Sequence, residues 1–64
     1  MTHAEQHKTI VELADKARRM KRDDQEDFDM FVKRDKDDED LDVVSQKKLI
    51  RLYEKYVGPW EGRS

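Results

Sequence analysis

The sequence predicts an all-α fold: a small three-helix unit with helices near residues 3–21, 24–35 and 46–57 and an acidic loop between the second and third. Three observations carry this reading. Apolar residues recur at three- and four-residue spacing, the periodicity that lines one face of a helix. They fall into three groups separated by charged stretches. Neither Gly nor Pro interrupts residues 3 to 57. Residues 1–60 read as one small helical domain and 61–64 as a frayed tail.

The first element opens with Thr2-His3-Ala4-Glu5, a capping box in which the Thr hydroxyl and the Glu carboxylate satisfy each other's backbone donors. Ile10, Leu13, Ala14, Ala17 and Met20 then share a face, with Glu12, Lys16 and Arg19 opposite. The element runs to Lys21 or Arg22. Its last turns hold Lys16, Arg18, Arg19, Lys21 and Arg22, the charge that the helix dipole favours at a C-terminus.

The second element starts at Asp23 or Asp24 as N-cap, with Glu26 and Asp27 in the first turn. Phe28, Phe31 and Val32 form a narrow stripe beside Met30. Only the change of charge and the Asp pair mark a break from the first helix, so one bent helix is the alternative.

Residues 35 to 42 read DKDDEDLD, too dense in like charge for a helix interior and poor in strand formers. They predict a loop in which Leu41, with Val43 and Val44 beyond, dips into the core. The third element has Ser45 as N-cap, Val44 and Leu49 as a hydrophobic staple, and Gly58-Pro59 as its stop. Leu49, Leu52, Tyr53, Tyr56 and Val57 form its stripe, and Trp60 folds back over it.

At 64 residues, such a domain buries only about 60% of the surface that its unfolded chain exposes. There is no Cys, hence no disulfide or thiolate metal site. Lacking a signal segment and any long apolar run, the chain is expected to be cytoplasmic, with no membrane association. Charged residues make up 47% and mean hydropathy is −1.22, values that approach those of disordered chains, although the mixed signs allow pairing.

The net charge of −2 hides a pattern. Residues 1–22 carry +3, residues 23–42 carry −8 from eleven acidic and three basic groups, and residues 43–64 carry +3. Folding can neutralise the middle against the ends, or the middle can project as a docking surface for a basic partner or as a mimic of nucleic-acid phosphates. The candidate partner-binding residues are Asp35, Asp37, Asp38, Glu39, Asp40 and Asp42, joined by Tyr53, Tyr56 and Trp60, since aromatic residues anchor protein interfaces.

The alternative is nucleic-acid binding through basic helix faces, by Arg18, Arg19, Lys21, Arg22, Lys47, Lys48, Arg51 and Lys55. Self-association that covers part of the aromatic stripe is a third reading. A calcium loop starting at Asp35 fails its template, with Asp40 where Gly is needed and Gln46 where a bidentate Glu is needed.

Catalysis is not expected. His3 and His7 stand four apart but lack a third ligand or base nearby and read as a fraying first turn. Ser45 lacks a local His, and the carboxylates lack an enclosing pocket. No cofactor is expected. The pairs Ser45-Gln46-Lys47-Lys48 and Tyr53-Glu54-Lys55-Tyr56 are similar to closing helices of small phage-encoded and DNA-metabolism-associated proteins, over 12 residues that name no family. The sequence therefore points to a small non-catalytic module that docks on a larger protein.

Overall fold

Thr2 begins the first helix as the sequence predicts. In the computed structural model, which describes residues 1–60, its hydroxyl accepts from the Glu5 N–H at 3.1 Å while Glu5 Oε1 accepts from the Thr2 N–H at 2.7 Å. Helix α1 spans His3–Ala14. The Thr2 backbone donor holds the Glu5 carboxyl below its usual range. Helix α2 spans Arg22–Lys36 and α3 spans Val43–Tyr56, so the described residues form three packed helices.

The first helix is shorter than its periodicity suggests. After Ala14 the chain enters a 3-10 turn over Ala17–Arg19, and Met20 and Lys21 adopt extended backbone. The first two elements are thus separate helices, not one bent rod. A continuous helix from 3 to 36 would run about 50 Å, against a longest molecular extent of 26 Å. It would strand Phe28 and Phe31 far from Leu13. Reversal instead lets Met20, only 7% exposed, join them. Tertiary burial overrides a sequence with no local breaker.

The start of α2 also differs from the expectation. Lys21 stands at the N-cap without a side-chain cap, and Asp23 and Asp24 lie inside the first turn, where the helix dipole still favours them. At its other end α2 closes with a Schellman motif. The Asp38 N–H donates to Asp35 O at 3.1 Å and the Glu39 N–H to Arg34 O at 3.0 Å. The motif needs a left-handed residue after the cap, and Asp38 supplies it at φ 57°.

Helix α3 begins two residues before the expected cap. Asp42, not Ser45, is the N-cap: its carboxylate accepts from the Ser45 N–H at 2.7 Å, and this bond holds the Asp42 carboxyl below its usual range. Ser45 is buried in the first turn. Val43 and Val44, expected to reach the core or staple the helix, are about two-thirds exposed. The anchor is Leu41 alone, 3% exposed, one residue before the cap.

Among the described residues eight side chains form the core: Ile10, Leu13, Met20, Phe28, Phe31, Leu41, Leu49 and Leu52. Each large one contributes about 1.5–3 kcal/mol on burial. Phe31, Leu13 and Leu49 are sealed from solvent and come one from each helix. The radius of gyration is 10.6 Å, close to the value of about 10.7 Å expected of a folded chain this long. Mixed-sign charge has not kept the chain expanded. Among the described residues no helix is long and apolar enough to cross a membrane. The tail assigned to 61–64 lies outside the described residues.

Candidate acidic docking surface

Helix directions place the charged segments. His7 on α1 meets Asp35 near the end of α2, and Tyr56 at the end of α3 meets Asp24 near the start of α2. Helices α1 and α3 therefore run together and α2 runs against them. One end of the molecule collects the N-termini of α1 and α3 and the loop from Asp37 to Asp42. The other collects the α1–α2 connection and the end of α3. Two helix N-termini, each a site of partial positive charge, thus face the acidic loop and favour its carboxylates there.

The loop is fastened by one side chain that the sequence reading passed over. Gln6 is 1% exposed. Its Oε1 accepts from the Leu41 N–H at 2.9 Å, and its Nε2 donates to Glu39 O at 3.1 Å and to Asp35 Oδ1 at 3.4 Å. Gln46 adds a bond from its Nε2 to Leu41 O at 2.9 Å. Every polar group needed to seat Leu41 in the core is satisfied, as burial requires. The signal was present in the pattern, because Gln6 and Thr9 fall on the α1 face shared by Ile10 and Leu13.

The six acidic candidates separate into two kinds. Asp35 is buried and belongs to the fold: its Oδ2 accepts from His7 Nδ1 at 2.6 Å. Asp42 is occupied as the α3 cap. Asp37, Asp38, Glu39 and Asp40 point outward and are exposed. Asp40 Oδ1 lies 2.9 Å from His3 Nδ1, and Asp38 Oδ1 lies 3.8 Å from His3 Nε2. The two histidines, read from sequence as a fraying turn, instead dock α1, His3 on this loop and His7 on the last turn of α2. Among the described residues no set of three or more His, Cys, Asp or Glu is arranged to hold a metal ion.

Tyr53, Tyr56 and Trp60 are half-buried and lie apart from the loop. The rise of α3 puts Tyr53 about 16 Å from Asp42 along its axis. The Tyr53 hydroxyl donates to Glu12 Oε2 at 2.6 Å, that of Tyr56 to Asp24 Oδ2 at 2.6 Å, and Trp60 Nε1 to Thr9 Oγ1 at 3.0 Å. Each ties α3 or its extension to another helix. Trp60 gets there because Gly58 takes φ +146° and turns the chain back.

The basic candidates are also divided. Arg18, Arg19, Lys21 and Arg22 are exposed around the α1–α2 connection, and Lys47, Lys48 and Arg51 are exposed on α3. Lys55 is engaged: its Nζ lies 2.7 Å from Asp24 Oδ2 and 5.4 Å from the centre of the Tyr56 ring. That contact lowers the Asp24 pKa, with the Tyr56 hydroxyl adding to it, and raises that of Lys55. Lys21 joins from the backbone, its N–H donating to Tyr56 Oη at 3.2 Å. Glu12, Asp24 and Asp35 are thus three carboxylates that lock helices together.

No protein-family model matches this chain, and the comparisons with curated proteins and with solved structures found no match.

Proposed function

We propose that this chain is a non-catalytic interaction protein that docks on a basic surface of a larger protein through Asp37, Asp38, Glu39 and Asp40. The observation that carries the reading is Asp38. It occupies a left-handed position that glycine fills at least cost, yet it presents a carboxylate 93% exposed to solvent. The cap of α2 sets this conformation, and an Asp there in place of glycine adds an exposed carboxylate to the loop, which supports the docking reading. The loop around it is pre-shaped by Gln6 and Leu41, so docking would spend little on ordering it.

The test is capture from native lysate by wild type and by the triple variant Asp37→Asn, Asp38→Asn, Glu39→Gln. None of these three side chains makes the Gln6 and Gln46 bonds that seat Leu41; only Asp38 touches another fastening, its 3.8 Å ion pair with His3. Helical circular dichroism should be unchanged while specific captured bands are lost. Equal capture by both proteins sinks the docking role. Nucleic-acid binding through Arg18, Arg19, Lys21, Arg22, Lys47, Lys48, Arg51 and Lys55 is the alternative, and a labelled duplex at low salt tests it, since such binding weakens steeply with salt.

A further inference from the structure

We propose that His3 and His7 form a proton-operated latch, His3 on the acidic loop and His7 on the end of α2 that leads into it. The inference needs no partner and stands apart from the docking role. Both histidines lie on the first two turns of α1 and reach residues 28 to 37 positions away in sequence. His3 is the informative one, because both of its ring nitrogens face carboxylate oxygens: Nδ1 toward Asp40 at 2.9 Å and Nε2 toward Asp38 at 3.8 Å. A neutral imidazole carries one N–H and can serve only one of them. The imidazolium carries an N–H on both, so it keeps the hydrogen bond to Asp40 and draws Asp38 in as an ion pair.

Protonation of His3 therefore adds Asp38 to a contact that Asp40 already makes and ties both sides of the loop to α1. His7 acts one turn further along, where its Nδ1 meets the buried Asp35 at 2.6 Å. Asp35 is shared with Gln6, the residue that also holds Glu39 and Leu41, so the two histidines close on one structure. Other charges at this end include the carboxylates of Glu5, Asp37, Glu39 and Asp42, the amino group of Met1, acting on Glu5, and Arg34 and Lys48, acting on Asp42. Arg34 and Lys48 keep their charge throughout the range in which an imidazole changes its own. Closing the latch adds two positive charges to the most acidic face of the molecule.

The experiment is an NMR titration of the full chain from about pH 8 to about pH 5, the range in which imidazoles change charge, with His3→Gln and His7→Gln as separate variants. The expected result is that the amide signals of Asp38 and Asp40 follow the His3 ring signals with a shared midpoint. Exchange of the loop amides, corrected for its intrinsic pH dependence, should slow by roughly twofold to fivefold on the acid side, the factor an exposed ion pair supports. In His3→Gln the Asp38 and Asp40 amides should stop following, while the Asp35 amide still follows His7. In His7→Gln the pattern should invert. Neither substituted side chain belongs to the core, His3 being 41% and His7 64% exposed, so the variants keep it. Loop amides that titrate alike in wild type and His3→Gln, or that stay fixed while the His3 ring titrates, overturn the latch.

Discussion

The side-chain oxygen of Gln6 accepts the backbone N–H of Leu41 across 35 residues of sequence. This bond lets a core leucine sit at the end of an acidic loop without an orphaned donor. Gln6→Leu keeps the bulk but leaves the Leu41 N–H and the Glu39 carbonyl unpaired, which costs about 2 kcal/mol. Urea unfolding followed by circular dichroism should show a lower midpoint with an unchanged slope. Native-state exchange at Leu41 should accelerate more than at Leu13.

Asp38 sets stability against the proposed role. Replacing it with Gly removes the left-handed strain and should raise stability by about 0.5–1 kcal/mol. Asn tolerates that conformation, so Asp38→Asn should be near neutral in urea. Both should weaken docking alike if the carboxylate is what the partner reads. A glycine variant less stable than wild type would show that the His3 contact outweighs the strain.

Asp24 makes the far end of the molecule acid-sensitive. Contact with Lys55 and then with Tyr56 depresses its pKa in the folded chain below the ordinary 3.8. Its contribution is therefore complete above that value and is lost as pH falls through the lower folded value. The difference in urea midpoint between wild type and Asp24→Asn should be constant at neutral pH and close on acidification below 3.8. Glu5 and Asp42, also depressed, act in the same direction. Tyr56→Phe should narrow the same gap, and it removes a hydrogen bond contributing about 1 kcal/mol.

The core has little to spare. Phe31 is wholly enclosed, and Phe31→Ala removes about 3–5 kcal/mol, comparable to the whole stability that so small a domain is expected to have. The variant should lose its cooperative thermal transition. Phe31→Leu, nearer in volume, should retain it at a lower midpoint.

The helical class and two of its end signals were legible because they are local. The Thr2–Glu5 box and the Gly58-Pro59 stop need only neighbours, and Phe28, Phe31, Leu49 and Leu52 declare their face by spacing. The end of α1 at Ala14 was hidden because no residue there breaks a helix, and only the burial of Met20 explains it. Asp42 was overlooked as a cap because it lay inside a run read for its charge. The uses of Gln6, His3, His7, Glu12 and Asp24 depend on partners 28 to 41 residues away, which no local pattern reveals. The acidic segment is not one surface, because Asp35 faces inward and Asp42 caps a helix.

Trp60 is the only tryptophan in the chain, and its indole is held against α1 by Thr9. The molecule therefore carries its own optical reporter, set apart from the acidic loop. A partner confined to the exposed carboxylates should leave the emission maximum where it stands. A partner that covers the indole should move it to the blue, and a break of the Thr9 bond should move it to the red, so one spectrum distinguishes which side of the protein is in use.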